Sequence, residues 1–288
     1  MALFLYFCQT NKKETSFILE AQHIKQKGIM KIRRTLLAAL FICLTSLAAA
    51  QRPANDVAID GLHGKVKNVT KITYEARTDF QGVTSQGDIL EHIETAYNSK
   101  GWRKTMTFVT PEANVIFRSR FKHDGFGLAT VEQIVDNNEQ VIGRTYYSYD
   151  AQNVLKEMWV EDADRQIESR TLVRYDAQGH LLQRSLNDAA GNIYRREVFT
   201  YSGNNAVKKV VYDSKGKKMQ EWRYEYDDNN EPIMQTLYDY SEAEPEMYIT
   251  VFSYEYDGQG NWTRRTESEL VDGDPVLQYI ITREIEYY

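Results

Sequence analysis

A turn signal on a fixed step constrains this chain more than any other feature. Asn98-Ser-Lys-Gly101, Asp124-Gly-Phe-Gly127, Asp150-Ala-Gln-Asn153, Asp176-Ala-Gln-Gly179 and Ser202-Gly-Asn-Asn205 begin 26 residues apart. Asp227-Asp-Asn-Asn230 and Asp257-Gly-Gln-Gly260 follow at steps of 25 and 30. A second series lies between them, at Asp136, Asp162, Asp188-Ala-Ala-Gly191 and Asp213-Ser-Lys-Gly216. Asp136 and Asp162 have lost the closing glycine, with Glu139 and Arg165 in its place. The residue types follow from turn chemistry. Asp, Asn or Ser at the first position accepts a hydrogen bond from the backbone ahead. The fourth position takes the left-handed conformation, which Gly enters freely and Asn tolerates, so Asn153, Asn205 and Asn230 can replace it. Such turns join antiparallel strands.

The segments between turns have the strand period. Trp222-Arg-Tyr224-Glu-Tyr226 and Phe252-Ser-Tyr254-Glu-Tyr256 set aromatics at a step of two, and these are strand-forming residues. About fifteen turn signals between residues 57 and 288 imply about sixteen strands. Links this short permit only hairpins. The expected fold is all-β, an antiparallel up-and-down meander of 26-residue, two-strand repeats in an extended or curled sheet. Whether it closes is left open. Lys208, Lys209, Lys217 and Lys218 read as solvated positions that discourage further pairing.

The first fifty residues read as separate from this array. Lys31, Arg33 and Arg34 precede an apolar run from Thr35 to Leu47, and Ala48-Ala49-Ala50 follows. That is the pattern of a secretory signal peptide over 30–50, too short to span a bilayer comfortably. Residues 1–29 lie upstream of it and read as a mis-called extension, with Met30 the initiator. The exported domain is then 51–288. Cys8 and Cys43 leave with the leader, so thiol chemistry, disulfides and Cys-ligated metals are excluded from it. Removing the leader also removes seven Lys/Arg and two Glu, which moves the net charge from −6 to −11. An acidic chain of this kind is no nucleic-acid binder working through a basic face. No transmembrane segment remains after cleavage, and the expected location is outside the cytoplasm, periplasmic or extracellular.

The motif Tyr-Asp-x-x-Gly recurs in full or part at Tyr149-Asp150, Tyr175-Asp176, Tyr212-Asp213, Tyr226-Asp227 and Tyr256-Asp257, with Leu181-Leu182 after the turn at Gly179. Together these resemble the YD repeats of Rhs-type proteins, and more closely the short secreted bacterial YD-repeat proteins. The resemblance is clear over about 97–288 and loose over 57–96. It implies a β-repeat fold and export. Carbohydrate binding is a weak further implication.

No constellation of catalytic residues stands out. His63, His92, His123 and His180 form no HxH or HxxxH pair, and neither a P-loop nor Gly-x-Ser-x-Gly occurs. Asp227, Asn229 and Glu231 have oxygen-ligand spacing, but the glycine that a calcium loop requires is missing and the grid explains them as turns. The sequence therefore predicts no cofactor, no metal and no catalytic set. The candidate binding residues are Trp102, Trp159, Trp222 and Trp262, which could stack on sugar rings; the competing reading is cross-strand packing. Asp124, Asp150, Asp176, Asp188, Asp213, Asp227 and Asp257, with Gly179, Gly191, Gly216 and Gly260, read as structural turn residues. The function that follows is a non-enzymatic exported protein binding a glycan or an envelope protein through one sheet face. The alternatives are a structural or assembly module without a small ligand, or an unrecognised polysaccharide hydrolase.

Overall fold

The computed structural model describes residues 55–242 and 244–288. The leader and the extension before it lie outside them. One short helix, α1 (Asp56–Ile59), precedes sixteen strands. They are β1 (Val66–Thr78), β2 (Thr84–Tyr97), β3 (Arg103–Val109) and β4 (Val115–His123). Next come β5 (Ala129–Asp136), β6 (Val141–Tyr149), β7 (Leu155–Asp162) and β8 (Ile167–Tyr175). β9 (Leu181–Asp188), β10 (Ile193–Ser202), β11 (Asn205–Asp213) and β12 (Lys218–Tyr226) follow. β13 (Pro232–Asp239), β14 (Glu246–Tyr256), β15 (Trp262–Val271) and β16 (Asp274–Tyr287) complete the chain. Each strand pairs antiparallel with its sequence neighbours. β16 returns to β1, with Val69 opposite Ile285 and Thr73 opposite Ile281. The meander is therefore a closed barrel, which corrects the expected extended or curled sheet. Closure pairs the two edges that an open sheet would leave exposed.

The turns show why the grid exists. Asp176 Oδ1 accepts from the amides of Gln178 (2.9 Å) and His180 (2.8 Å). The Gly179 amide donates to the Asp176 carbonyl at 3.1 Å, and Gly179 sits at φ +86°. This is a type I turn closed by a left-handed residue that forms a bulge, a three-residue hairpin loop. The same pattern of bonds recurs at Asp124, Asp150, Asp213, Asp227 and Asp257. Glu139 and Arg165 keep the turn at φ +64° without glycine, as does Ala113 after Thr110. Thr110 stands 26 residues before Asp136, so it extends the second series in different residue types. Asn205 departs from expectation. It pairs with Ser202 as the first residue of β11, and Gly203 carries the positive φ of a two-residue turn.

The turns alternate between two ends of the barrel. One end holds the loops at 98, 124, 150, 176, 202, 227 and 257, together with α1. There tyrosines close to the turn aspartate acquire a role; Tyr149 and Tyr226 stand directly before it, and Tyr254 three residues before Asp257. Tyr149 donates its hydroxyl to the Ala129 carbonyl, Tyr226 to Ala206 and Tyr254 to Pro232, each at 2.8 Å. In every case donor and acceptor lie on neighbouring strands whose connecting turn is at the far end. The tyrosine thus staples the open mouth of its own hairpin.

The segment before β1 straps this same end. Asn55 caps α1 through the Ala58 amide (3.0 Å) and donates to the Lys100 carbonyl (3.1 Å). Val57 and Leu62 pack with Val66, Val69 and Tyr97 in a buried apolar cluster, against which Ile285 and Tyr287 also rest. Asp56 accepts from the Arg103 amide and meets His123 Nε2, both at 2.7 Å. Burial alone would raise the Asp56 carboxyl; the His123 and Arg103 hydrogen bonds outweigh it and hold its pKa below the usual value.

Candidate functional site

Register fixes which side chains face inward. Tracing opposite pairs round the barrel places Val69, Ile93, Phe117, Glu132, Tyr147, Arg184, Glu197, Lys209, Trp222, Leu237, Phe252, Arg265 and Ile281 on one face. Most of the buried strand residues belong to it, so it is the interior. The interior is apolar and aromatic but holds several ionised groups.

One ionic cluster lies on β9–β12. Glu197 is completely buried and takes Arg184 Nε at 2.8 Å and Nη2 at 2.5 Å, with Arg195 Nε at 2.8 Å. Lys209 is 4% exposed, with its ammonium 4.6 Å from the Trp222 ring centroid. This overturns the solvated reading of Lys209. Desolvation, offset in part by Glu197, lowers its pKa to about 8. A second cluster lies on β14–β16. Arg265 donates to Glu267 at 2.5 Å, and the Arg265 and Arg283 guanidinium groups lie over the Trp262 ring. A third sits on β4–β6. Glu132 accepts from Ser119 Oγ (2.5 Å) and from the Tyr147 hydroxyl (3.0 Å). Burial, and then the Glu132 charge, push the Tyr147 hydroxyl well above its ordinary value.

The two sectors of the inner wall differ. Many inward residues of β9–β16 are buried, among them Glu197, Lys209, Trp222, Leu237 and Ile281. Those of β3–β8, among them Met106, Phe108, Phe117, Ile134, Tyr147 and Met158, are only half-buried although they face the inside of a closed barrel. Phe108 and Phe117 stack there at 4.2 Å.

The outer wall is largely polar, apart from an apolar stretch at Met234, Met247, Ile249 and Val251 on β13–β14. Alternate positions carry Arg118, Arg120, Glu157, Arg170, Arg223, Glu255, Arg264 and Glu284 among threonines and serines. The Arg223 and Glu255 side chains are 59% and 64% exposed. Outward pairs such as Arg170–Glu157 (2.7 Å) and Arg264–Glu255 (2.8 Å) cross between strands. A barrel that spans a bilayer needs an apolar band on this surface. Among the described residues no helix is long and apolar enough to cross a membrane.

The four tryptophans do not share a surface. Trp102 stacks on His123 at the strapped end (5.6 Å), Trp159 stacks on Tyr146 on the outer wall (5.2 Å), and Trp222 and Trp262 are buried, each in its own ionic cluster. Asp227 uses Oδ1 on the Asn229 and Glu231 amides (2.9 and 2.8 Å), which is a turn contact. His180 stacks on Tyr201 and meets Asp176, and no three metal-ligating side chains converge among the described residues. The ionic groups at Glu132, Glu197 and Lys209 escaped sequence reasoning. Their signal is strand parity, as in Arg195-x-Glu197-x-Phe199, which becomes legible only once closure says which parity is inside.

The molecule thus belongs to the class of closed, antiparallel, up-and-down β-barrels, here with a largely polar outer wall. No protein-family model matches the chain, and no curated protein is significantly similar to it. Among solved structures, a porin-like protein from Bacteroides uniformis ATCC 8492 aligns with a TM-score of 0.53 at 12% identity, over 77% of this chain and 98% of the other. That likeness concerns the fold alone. A second porin-like protein, from Bacteroides vulgatus ATCC 8482, aligns at 0.30 and 12%, over 77% and 98% of the two chains. A TcdB2-TccC3-Cdc42 complex aligns at 0.31 and 15%, over 72% of this chain and 11% of the other.

Proposed function

We propose that this chain is a non-enzymatic, exported barrel of the YD-repeat type that works in the water of the cell envelope as a binding protein, not as a pore through a bilayer. The single observation behind this reading is the outer wall. Arg118, Arg170, Arg223 and Arg264 stand at outward positions on four separate strands, and each arginine or lysine placed mid-bilayer on a barrel costs about 2–4 kcal/mol. Four such residues would together cost about 8–16 kcal/mol, as much as the whole stability of an ordinary domain. The leader over 30–50 supports export. The partner classes expected from the sequence were a glycan or a protein. With the tryptophans dispersed, the interior and the two rims are the surfaces left to meet either.

Expression of the full chain in a Gram-negative host, followed by osmotic shock and membrane fractionation, tests the reading. The barrel should appear in the soluble envelope fraction and leave a planar bilayer non-conducting. Recovery only with outer membranes, or stepwise ion conductance, would refute it.

A further inference from the structure

We propose that the β3–β8 sector of the interior binds a single-chain amphiphile whose polar end donates hydrogen bonds to Glu132. Four observations lead there. Met106, Phe108, Phe117, Ile134 and Met158 present an apolar surface that stays only partly buried although it faces the inside of a closed barrel. Apolar surface left wet is unfavourable, and covering it stabilises by about 25 cal/mol per Å². The two methionines supply side chains that adapt to an irregular chain. The sector lies within a wall of sixteen hydrogen-bonded strands, so its occupant is a slender molecule entering from an end and not a folded partner laid on a face.

Glu132 selects the polar end. Its carboxylate already accepts from Ser119 and Tyr147, and a carboxylate has about four acceptor positions. The remaining positions call for a donor, a hydroxyl or an amine. A ligand carboxylate would meet the like charge of Glu132 at this end of the site. Arg103, whose charge reaches the neighbouring Tyr147 hydroxyl, is itself engaged by Asp60 and lies over the Phe121 ring at 5.1 Å. The ligand class is therefore an acyl chain with a neutral or cationic head, such as a monoacylglycerol, and not a free fatty acid. The inference rests on the water-borne reading, because a bilayer pore would carry water through this space.

The test uses the exported protein recovered from cells expressing the full chain, with 1-monoolein and sodium oleate as probes below their aggregation concentrations. Calorimetry or native mass spectrometry should show one monoolein per chain, with oleate at least about tenfold weaker at neutral pH. Glu132→Gln should narrow that gap by strengthening oleate. Ile134→Ala and Met158→Gln should each weaken monoolein by about tenfold, and their unchanged far-ultraviolet circular dichroism would separate lost binding from lost fold. Equal binding of the two probes by the wild type, or monoolein affinity untouched by both apolar variants, overturns the site. A soluble, folded, non-conducting barrel that binds neither probe also overturns it while leaving the water-borne reading intact. Conductance would sink that reading itself.

Discussion

Replacing Lys209 by Met should stabilise the barrel at pH 7. The unfolded lysine titrates near 10.5, whereas in the barrel burial lowers its pKa to about 8. A folded-state pKa below the unfolded one means that the unfolded chain holds more protons between those limits. Stability should therefore rise with pH from about 8 to about 10.5, and the cost is fully present below 8. At about 1.4 kcal/mol per pH unit, keeping the ammonium charged at pH 7 costs roughly 3 kcal/mol. Its position 4.6 Å from the Trp222 centroid returns about 1–2 kcal/mol. Methionine is similarly long and apolar, so the net gain should be about 1–2 kcal/mol. Urea titrations of both proteins at pH 7 and pH 10 measure it. The wild type should gain stability on going to pH 10 and the variant should change less. A variant less stable at pH 7, or a wild type that weakens between pH 8 and 10, would show that the ammonium is a net stabiliser of Glu197 and refute the reasoning.

Gly179→Val should cost about 1–3 kcal/mol, since a β-branched residue is forced to a left-handed φ. Gly179→Asn should be much milder, and hydrogen exchange should show the valine damage centred on residues 170–190. Tyr226→Phe removes the staple on the Ala206 carbonyl and leaves a buried acceptor unpaired. It should cost about 1–2 kcal/mol by denaturant titration, and Tyr256→Phe, on a partly exposed ring, should cost less.

Much of the fold is legible in the sequence because the turn chemistry is local. Asp176 and Gly179 act within five residues, so their spacing announces the hairpin before any tertiary contact is known. The strand count follows from the same signals. Closure is not legible, because it depends on whether accumulated twist and tilt bring Val69 to Ile285, and no single residue encodes that. Burial fails for the same reason. Lys208 and Lys209 are chemically alike, and only the closed register sends one outward and the other under Trp222. The four tryptophans share a residue type but no geometry, which is why composition suggested a platform where the structure has four separate environments. The tyrosine staples sit between these cases. The Tyr-Asp pairing is visible in sequence, but its acceptor lies about twenty residues upstream and needs the hairpin to be found.

The β1–β16 seam has a kinetic consequence. Every other strand pair joins sequence neighbours and can form as soon as a hairpin's worth of chain is available. The seam alone joins segments about two hundred residues apart, at a loop-closure entropy that grows only logarithmically with length but must be met before the last contacts reward it. Until β16 arrives, β1 and the far end of the growing sheet are raw edges able to pair with another copy of the chain. Sealing should therefore be the slow, final step of assembly, and a chain that presents β1 first must wait for its own last strand.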